Sequence, residues 1–559
     1  MSIFSPSDLV ELALAALLLG MVLLGRPFIE PYARNLAPRT GWCMLLLALL
    51  PAALRLALLA HHPVPSPDVY DEFGHLLVAD TLRHFRLANP AHPLHQFFET
   101  FFVLQTPTYA SIYPLGQGLM LEIGRAIFGS PWAGVLVSSS ALCALCYWML
   151  RGWTTTPEWA LLGGVLAVLE FGPLCPWMNN YWGGSLAAAA GCLVFGALPR
   201  LRRCARVRDG VLLGLGLGIH WLTRPYETVF LAIAALLFFL PVLRQIAELV
   251  PLAKPALAAA VVLLPAIALS LLQNKQVTGS WTTLPYMLSR TQYGVPASFT
   301  WQTNPVPHLD LTREQELQYK MQTSFRSAGP ETIPSYLQRL EYRVRFYRFF
   351  FLPPLYVALP FFFLSLREWR FAWIALTMAL FALGVNFYPF FEPHFIAAET
   401  CLFVLVSVTG LQRLSALNAD AARLILFVCI AHFVFWYGNS FFDHSIPDRR
   451  GAVERQLAQA PGKQLVFVRY WPQHIFQSEW VYNQADIDHA RVVWARDLGP
   501  AEDRKLLHYY PDRTAWLLEP DAAPPKLTPY HVEEASKPPP APTKSAPNNP
   551  PPLRFEQVH

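Results

Sequence analysis

The densest chemistry in the chain lies at residues 65–75, Pro-Ser-Pro-Asp-Val-Tyr-Asp-Glu-Phe-Gly-His, just after an apolar run ending near Ala60. Asp68, Asp71, Glu72 and His75 crowd into about two helical turns. If Ser66 or Asp68 caps a helix, Asp71 and His75 share one face of it. Carboxylates gathered beside a membrane can act as general bases or hold a cation. A plainer reading competes with this one, because acids at a helix start also complement the positive helix end.

Other polar groups of the same character recur at the ends of apolar segments. Tyr113-Pro-Leu-Gly-Gln117 leads into an amphipathic stretch. Trp177-Met-Asn-Asn-Tyr-Trp-Gly183 presents Asn180 and Tyr181, and Thr223-Arg-Pro-Tyr-Glu227 presents Arg224, Tyr226 and Glu227. Glu392-Pro-His-Phe395 presents His394, and the long stretch 274–348 carries Arg290 and Arg326. Such groups at a bilayer rim are costly unless they line a cavity. Aromatic anchoring accounts for Trp177 and Trp182 equally well. It does not account for Arg224 or His394. An arginine there matches an anionic ligand such as a phosphate, which guanidinium grips in bidentate fashion, or else it pairs with Glu227.

The elements that position these residues follow from composition. Of 559 residues, 54% are hydrophobic and 14% charged, where a soluble chain would have nearer a quarter charged. Apolar segments near 8–25, 41–60, 131–150, 159–175, 183–198, 210–223, 228–243, 255–273, 349–366, 371–388, 395–411 and 421–438 predict a polytopic α-helical membrane protein with about twelve spans. Arginine and lysine concentrate in every second loop, most densely from Arg200 to Arg208, which places those loops in the cytoplasm. The loops 61–130 and 274–348, with surface helices at 312–328 and 334–348, then face outward. So do the polar turns named above and the C-terminus. The stretch from Leu9 to Leu24 follows no basic residue, so a retained helix is expected rather than a cleaved signal.

Residues 1–439 thus form the membrane unit. Strands at 464–470, 490–495 and 514–518, flanked by helices near 448–459 and 501–509, predict a small outward-facing α/β domain over 440–535. The proline-rich tail 536–559 carries no predicted structure. The net charge of +5 is modest and no basic stripe suggests nucleic acid. All eight cysteines lie in or beside apolar segments, and Cys143-x-x-Cys146 has no partner pair for zinc. His61, His62, His75, His84, His92 and His95 share the first outward loop with the acids. A divalent cation therefore stays open as a cofactor, although no zinc-type spacing occurs.

The Asp71-Glu72 pair, Ala79 and a polar helix running to Arg86 resemble the C-type membrane glycosyltransferases. Tyr113-Pro-Leu-Gly-Gln117 and Pro393-His-Phe-Ile-Ala-Ala398 extend the likeness, which covers about 41–410. It is most similar to bacterial relatives of the dolichyl-phosphate-mannose protein mannosyltransferases, family 39. The resemblance implies an inverting transferase that moves a sugar from a polyprenyl-phosphate donor to a hydroxyl on a glycan, lipid or protein. In that reading Asp71 is the catalytic base and Glu72 orients the site. Arg224, Arg290 and Arg326 are candidates for the leaving phosphate, and His394 matches the family's late-loop histidine. The setting would be a bacterial cytoplasmic membrane, with the site facing the periplasm. Three features depart from the pattern: a helix near 8–25 before the family's first, Phe395 and Ala398 where tyrosine and proline are usual, and the C-terminal α/β region. Two rivals remain, a transporter or lipid flippase with ion-coupling acids, and a non-catalytic scaffold. Transporters place such groups near the midplane and often repeat internally. Here the charges sit at the rim, and the two halves show no repeat.

Overall fold

The computed structural model describes residues 30–154, 156–241, 250–324, 331–442 and 448–531. The expected first helix near 8–25, Arg326 and the proline-rich tail lie outside the described residues.

The chain is mostly helical. Among the described residues, five helices are long and apolar enough to cross a membrane: Thr40–Ala57, Pro131–Trp153, Val250–Thr278, Pro393–Leu417 and Ala419–Asn439. The first of these is α1. The span Pro393–Leu417 is 94% buried and forms the centre of the bundle, whereas Val250–Thr278 is only 17% buried. The latter leaves Leu257, Val261 and Leu264 on an outer face. Apolar faces of that extent are at home against lipid rather than water. The protein is an integral membrane protein.

After α1 comes α2 (Tyr70–Arg83), then α3 (Leu115–Phe128), α4 (Pro131–Trp153) and α5 (Pro157–Phe171). Next are α6 (Ser185–Cys204), α7 (Val207–Thr223), α8 (Pro225–Phe238) and α9 (Ala253–Thr278). Helix α7 lies between α6 and α9 and touches both closely. A Cβ at Gly210 would meet the Pro255 carbonyl oxygen at 2.2 Å, and one at Gly214 would meet the Ala259 carbonyl oxygen at 2.4 Å. Small residues allow this backbone approach, which is how membrane helices pack without a hydrophobic driving force between them.

The expected span at 349–366 is not one helix. It breaks into short helical turns at Arg345–Phe350, Pro353–Val357, Leu359–Phe362 and Phe363–Ser365. Pro353, Pro354 and Pro360 explain the break, since each lacks an amide hydrogen and collides with the preceding turn. Before that stretch the chain runs through α10 (Pro285–Tyr293), α11 (Arg313–Ser324) and α12 (Ile333–Val344) on the loop side. It completes the bundle with α13 (Trp369–Val385), α14 (Thr400–Leu417) and α15 (Ala419–Asn439).

The loop between α2 and α3 holds a small antiparallel sheet of β1 (Asn89–Pro90), β2 (Val103–Leu104) and β3 (Thr108–Ser111), in the order β1-β3-β2. Beyond α16 (Arg449–Gln459), a second sheet contains β4 (Lys463–Val468), β5 (Val492–Arg496), β6 (Arg513–Glu519) and β7 (Lys526–Pro529), with α17 (Pro500–Tyr509) before β6. Its order is β5-β4-β6-β7, parallel except for β7. Parallel strands need cover on both faces. One face packs Val466, Val468 and Leu518 against Val453 and Leu457 of α16. The other packs Leu465, Phe467 and Val493 against Leu77 of α2 and Phe97, Phe98 and Val103 of the loop. The C-terminal sheet and the first loop therefore share a core.

Candidate active site

The site begins at the start of α2. Its N-cap is Val69, not Ser66 or Asp68, and valine has no side-chain acceptor. Glu72 supplies the missing acceptor by reaching back to the amides of Asp68 at 2.9 Å and Val69 at 3.3 Å. Its second oxygen accepts the Tyr181 amide at 3.0 Å. Glu72 is thus an internal brace, with both oxygens committed to the backbone. Asp71 is left free to face inward.

Asp71 accepts a hydrogen bond from the Tyr113 hydroxyl. Tyr113 can lie so close to α2 because position 74 is glycine; a Cβ there would meet the tyrosine ring at 2.6 Å. Gln273 at the end of α9 donates to the Tyr113 carbonyl at 2.9 Å. His75 stacks on the other side of Tyr113, with ring centroids 4.3 Å apart. Asp71 and His75 therefore do share a face, with Tyr113 between them.

Burial pushes the Asp71 carboxyl up to about 6, opposed by the Tyr113 hydroxyl and the charge of Arg224. Burial, with Arg224 adding repulsion, drops His75 to about 3, so it is neutral at ordinary pH. Glu392 is raised to about 7 by burial and by the Asp71 charge, and Arg224 opposes this too. One arginine thus acts on three groups from two separate segments. Arg224 sits at the α7–α8 junction, 4.0 Å from Glu227, with its guanidinium 4.9 Å from the centre of the Phe395 ring. His394 adjoins Phe395 and packs against Trp182 at 5.9 Å.

Arg290 of α10 comes from the second long loop and lies over Tyr286, 5.9 Å from its ring centre. Its Nε is buried and has no hydrogen-bond partner among the described residues. The same holds for His75 Nδ1 and Asn180 Oδ1. Unpaired buried polar atoms are costly in a finished interior. His75 shares the Tyr113 ring with Asp71, and its unpaired nitrogen suits a place where a polar ligand completes the bonding.

Several expected members are engaged by other parts of the protein. Asp68 is exposed, and its carboxylate accepts the Ser478 hydroxyl at 2.8 Å. Tyr226 commits its hydroxyl to the Gly384 carbonyl at 2.8 Å, and Tyr181 commits its own to the Pro65 carbonyl at 2.8 Å. All three thus make structural ties. The loop histidines also disperse: His62 meets the Ser440 carbonyl, His84 the Asp80 carbonyl, and His92 the Tyr510 hydroxyl. Among the described residues, no three metal-ligating side chains gather in a metal-binding group. Conversely, Glu392, Tyr286, Tyr388 and Gln273 belong to the cluster, although residue type and spacing did not select them. Of these, only Glu392 had a signal, as an acid two residues before His394.

No protein-family model matches the chain, and no curated protein matches its sequence. Among solved structures, ArnT from Cupriavidus metallidurans in the apo state aligns with a TM-score of 0.50 and 12% identity, over 86% of this chain and 93% of ArnT. The structure of the same ArnT bound to undecaprenyl phosphate aligns with a TM-score of 0.50 and 11% identity over the same shares. The chain has the fold of the C-type membrane glycosyltransferases.

Proposed function

We propose that this protein is an inverting glycosyltransferase that moves a sugar from a polyprenyl-phosphate donor to a hydroxyl acceptor. It would work at the outer face of a bacterial cytoplasmic membrane, with about twelve spans and the basic loops inside. The observation that carries this reading is the meeting of Asp71 with Arg224 and Arg290 in one buried polar cluster. Asp71 takes the proton from the acceptor hydroxyl as its oxygen attacks the anomeric carbon. The bond from that carbon to the phosphate oxygen breaks on the opposite face, so the configuration inverts and a polyprenyl phosphate leaves. Arg224 and Arg290 receive its charge. Base assistance of this kind is worth on the order of 10²–10⁴-fold, and a fixed cation at the leaving group adds a comparable electrostatic effect.

Glu72 serves by fixing the helix start that presents Asp71. ArnT binds undecaprenyl phosphate, and a lipid phosphate of that class matches two arginines at a membrane rim. A lipid-linked donor also removes the need for nucleotide sugars outside the cytoplasm. The test is to incubate purified protein in lipid with a panel of radiolabelled polyprenyl-phosphate sugars, alongside Asp71→Asn. Transfer or release of sugar that disappears in the variant supports the reading. Equal behaviour of both proteins on every donor, with ion or lipid flux in proteoliposomes that depends on Asp71, would replace it with a transporter.

A further inference from the structure

Parallel pairing of β4 with β5 demands a crossover, and crossovers are usually helical. Here residues 469–491 make the crossing with turns and bends, apart from one isolated bridge. Long irregular connections inside a compact unit are uncommon and usually functional. This one runs along α2. Ser478 forms the isolated antiparallel bridge with Val69, the residue that caps α2. The Glu479 amide donates to the Asp68 carbonyl at 3.0 Å, and the Ser478 hydroxyl donates to the Asp68 carboxylate at 2.8 Å. One turn on, the Tyr482 ring lies 4.6 Å from that of Phe73, and Arg450 covers Phe73 at 4.5 Å. Further along α2, the Ala485 amide donates to Asp80 at 2.7 Å.

Glu479 is itself held firmly. Its buried carboxylate accepts the Tyr470 hydroxyl and the Val481 amide, each at 2.7 Å, and also the Thr100 hydroxyl from the first loop. The contact falls where a helix is weakest, because first-turn amides lack partners within the helix and helix ends fray. Asp71 is the second residue of that turn.

We infer that the 469–491 connection is a positioning device, in which Ser478 and Glu479 lock the start of α2 and so hold Asp71 against Tyr113. This inference rests on the reading of Asp71 as the base. If the lock loosens, Asp71 gains water and its titration falls back toward the ordinary carboxylate range.

The test uses the full chain in lipid as wild type, Ser478→Ala, Glu479→Gln and, as a control on exposed α17, Lys505→Ala. Two readouts are taken: hydrogen exchange of the amides at 70–76, and the pH profile of sugar transfer. Ser478→Ala is expected to speed exchange at 70–76 by about 3–10-fold, the worth of one hydrogen bond, without changing the bundle helices. It should also move the activity midpoint downward and lower kcat more than it changes KM. Glu479→Gln should act in the same direction and Lys505→Ala should match wild type. If Glu479→Gln does not fold, Ser478→Ala decides. Unchanged exchange at 70–76, exchange that rises equally across the C-terminal sheet, or faster exchange with a fixed pH midpoint would each overturn the inference. A wild type inert on every donor removes the transferase reading instead, and the exchange measurement still decides whether the lock exists.

Discussion

Asp71 is held in a state that suits a base and opposes folding. Burial favours its neutral form and moves its titration from 3.8 to about 6. Below about pH 3 the group is protonated whether the chain is folded or not, so it has no effect on stability. As pH rises, the unfolded chain releases this proton first, so stability falls until about pH 6 and then stays level. Asp71→Asn removes that penalty while keeping an oxygen for Tyr113. The variant is therefore expected to be more stable than wild type by about 1–3 kcal/mol at pH 7.5, after allowance for partial exposure, and to match it at about pH 3. Thermal unfolding in detergent at the two pH values checks this; a variant less stable at pH 7.5 would refute the cause assigned to the shift. The same group predicts activity that rises through about pH 6, as the carboxylate forms. Asp71→Asn should abolish this activity by at least about 10²-fold.

Elements place these residues, and the sequence exposed the elements unevenly. Apolar runs marked α1, α4, α14 and α15 because length and composition alone define a span. The same criterion misread 349–366, where apolar residues surround three prolines and the backbone cannot continue as one helix. Asp71 and Arg224 stood out because charge beside an apolar segment is costly unless it lines a cavity, and the structure brings Arg224 close enough to act on Asp71. Asp68 and Tyr226 were drawn in by proximity, and the structure ties them to the Ser478 hydroxyl and the Gly384 carbonyl. Gln273 and Tyr388 were invisible, since single polar residues at helix ends occur everywhere. The glycines of α7 give the element its own test. Gly214→Ala would push a methyl group against the Ala259 carbonyl, 2.4 Å from the Cβ position. Overpacking of that kind costs about 1–3 kcal/mol. Because α7 ends at Arg224, the variant should lower the melting temperature and weaken donor affinity together, as measured by unfolding and by the KM for the lipid donor. A lowered melting temperature with an unchanged KM would separate α7 packing from the placement of Arg224.

At the scale of the whole molecule, orientation decides whether the chemistry can occur outside the cell. The cluster around Asp71 and the C-terminal sheet lie on one side, because α2 contacts both. The basic stretch from Arg200 to Arg208 belongs to the other side if positive charge marks the cytoplasm. One native residue reports on this directly. Cys204 ends α6 within that stretch and is exposed, while Cys43, Cys143, Cys146, Cys175, Cys192, Cys401 and Cys429 are all buried. A membrane-impermeant maleimide therefore has one accessible target and needs no engineered site. It should leave intact right-side-out spheroplasts unlabelled and label inverted membrane vesicles, with Cys204→Ser silent in both. Labelling of spheroplasts at Cys204 would turn the molecule over, put Asp71 in the cytoplasm, and remove the argument for a lipid-linked donor, because nucleotide sugars are available on that side.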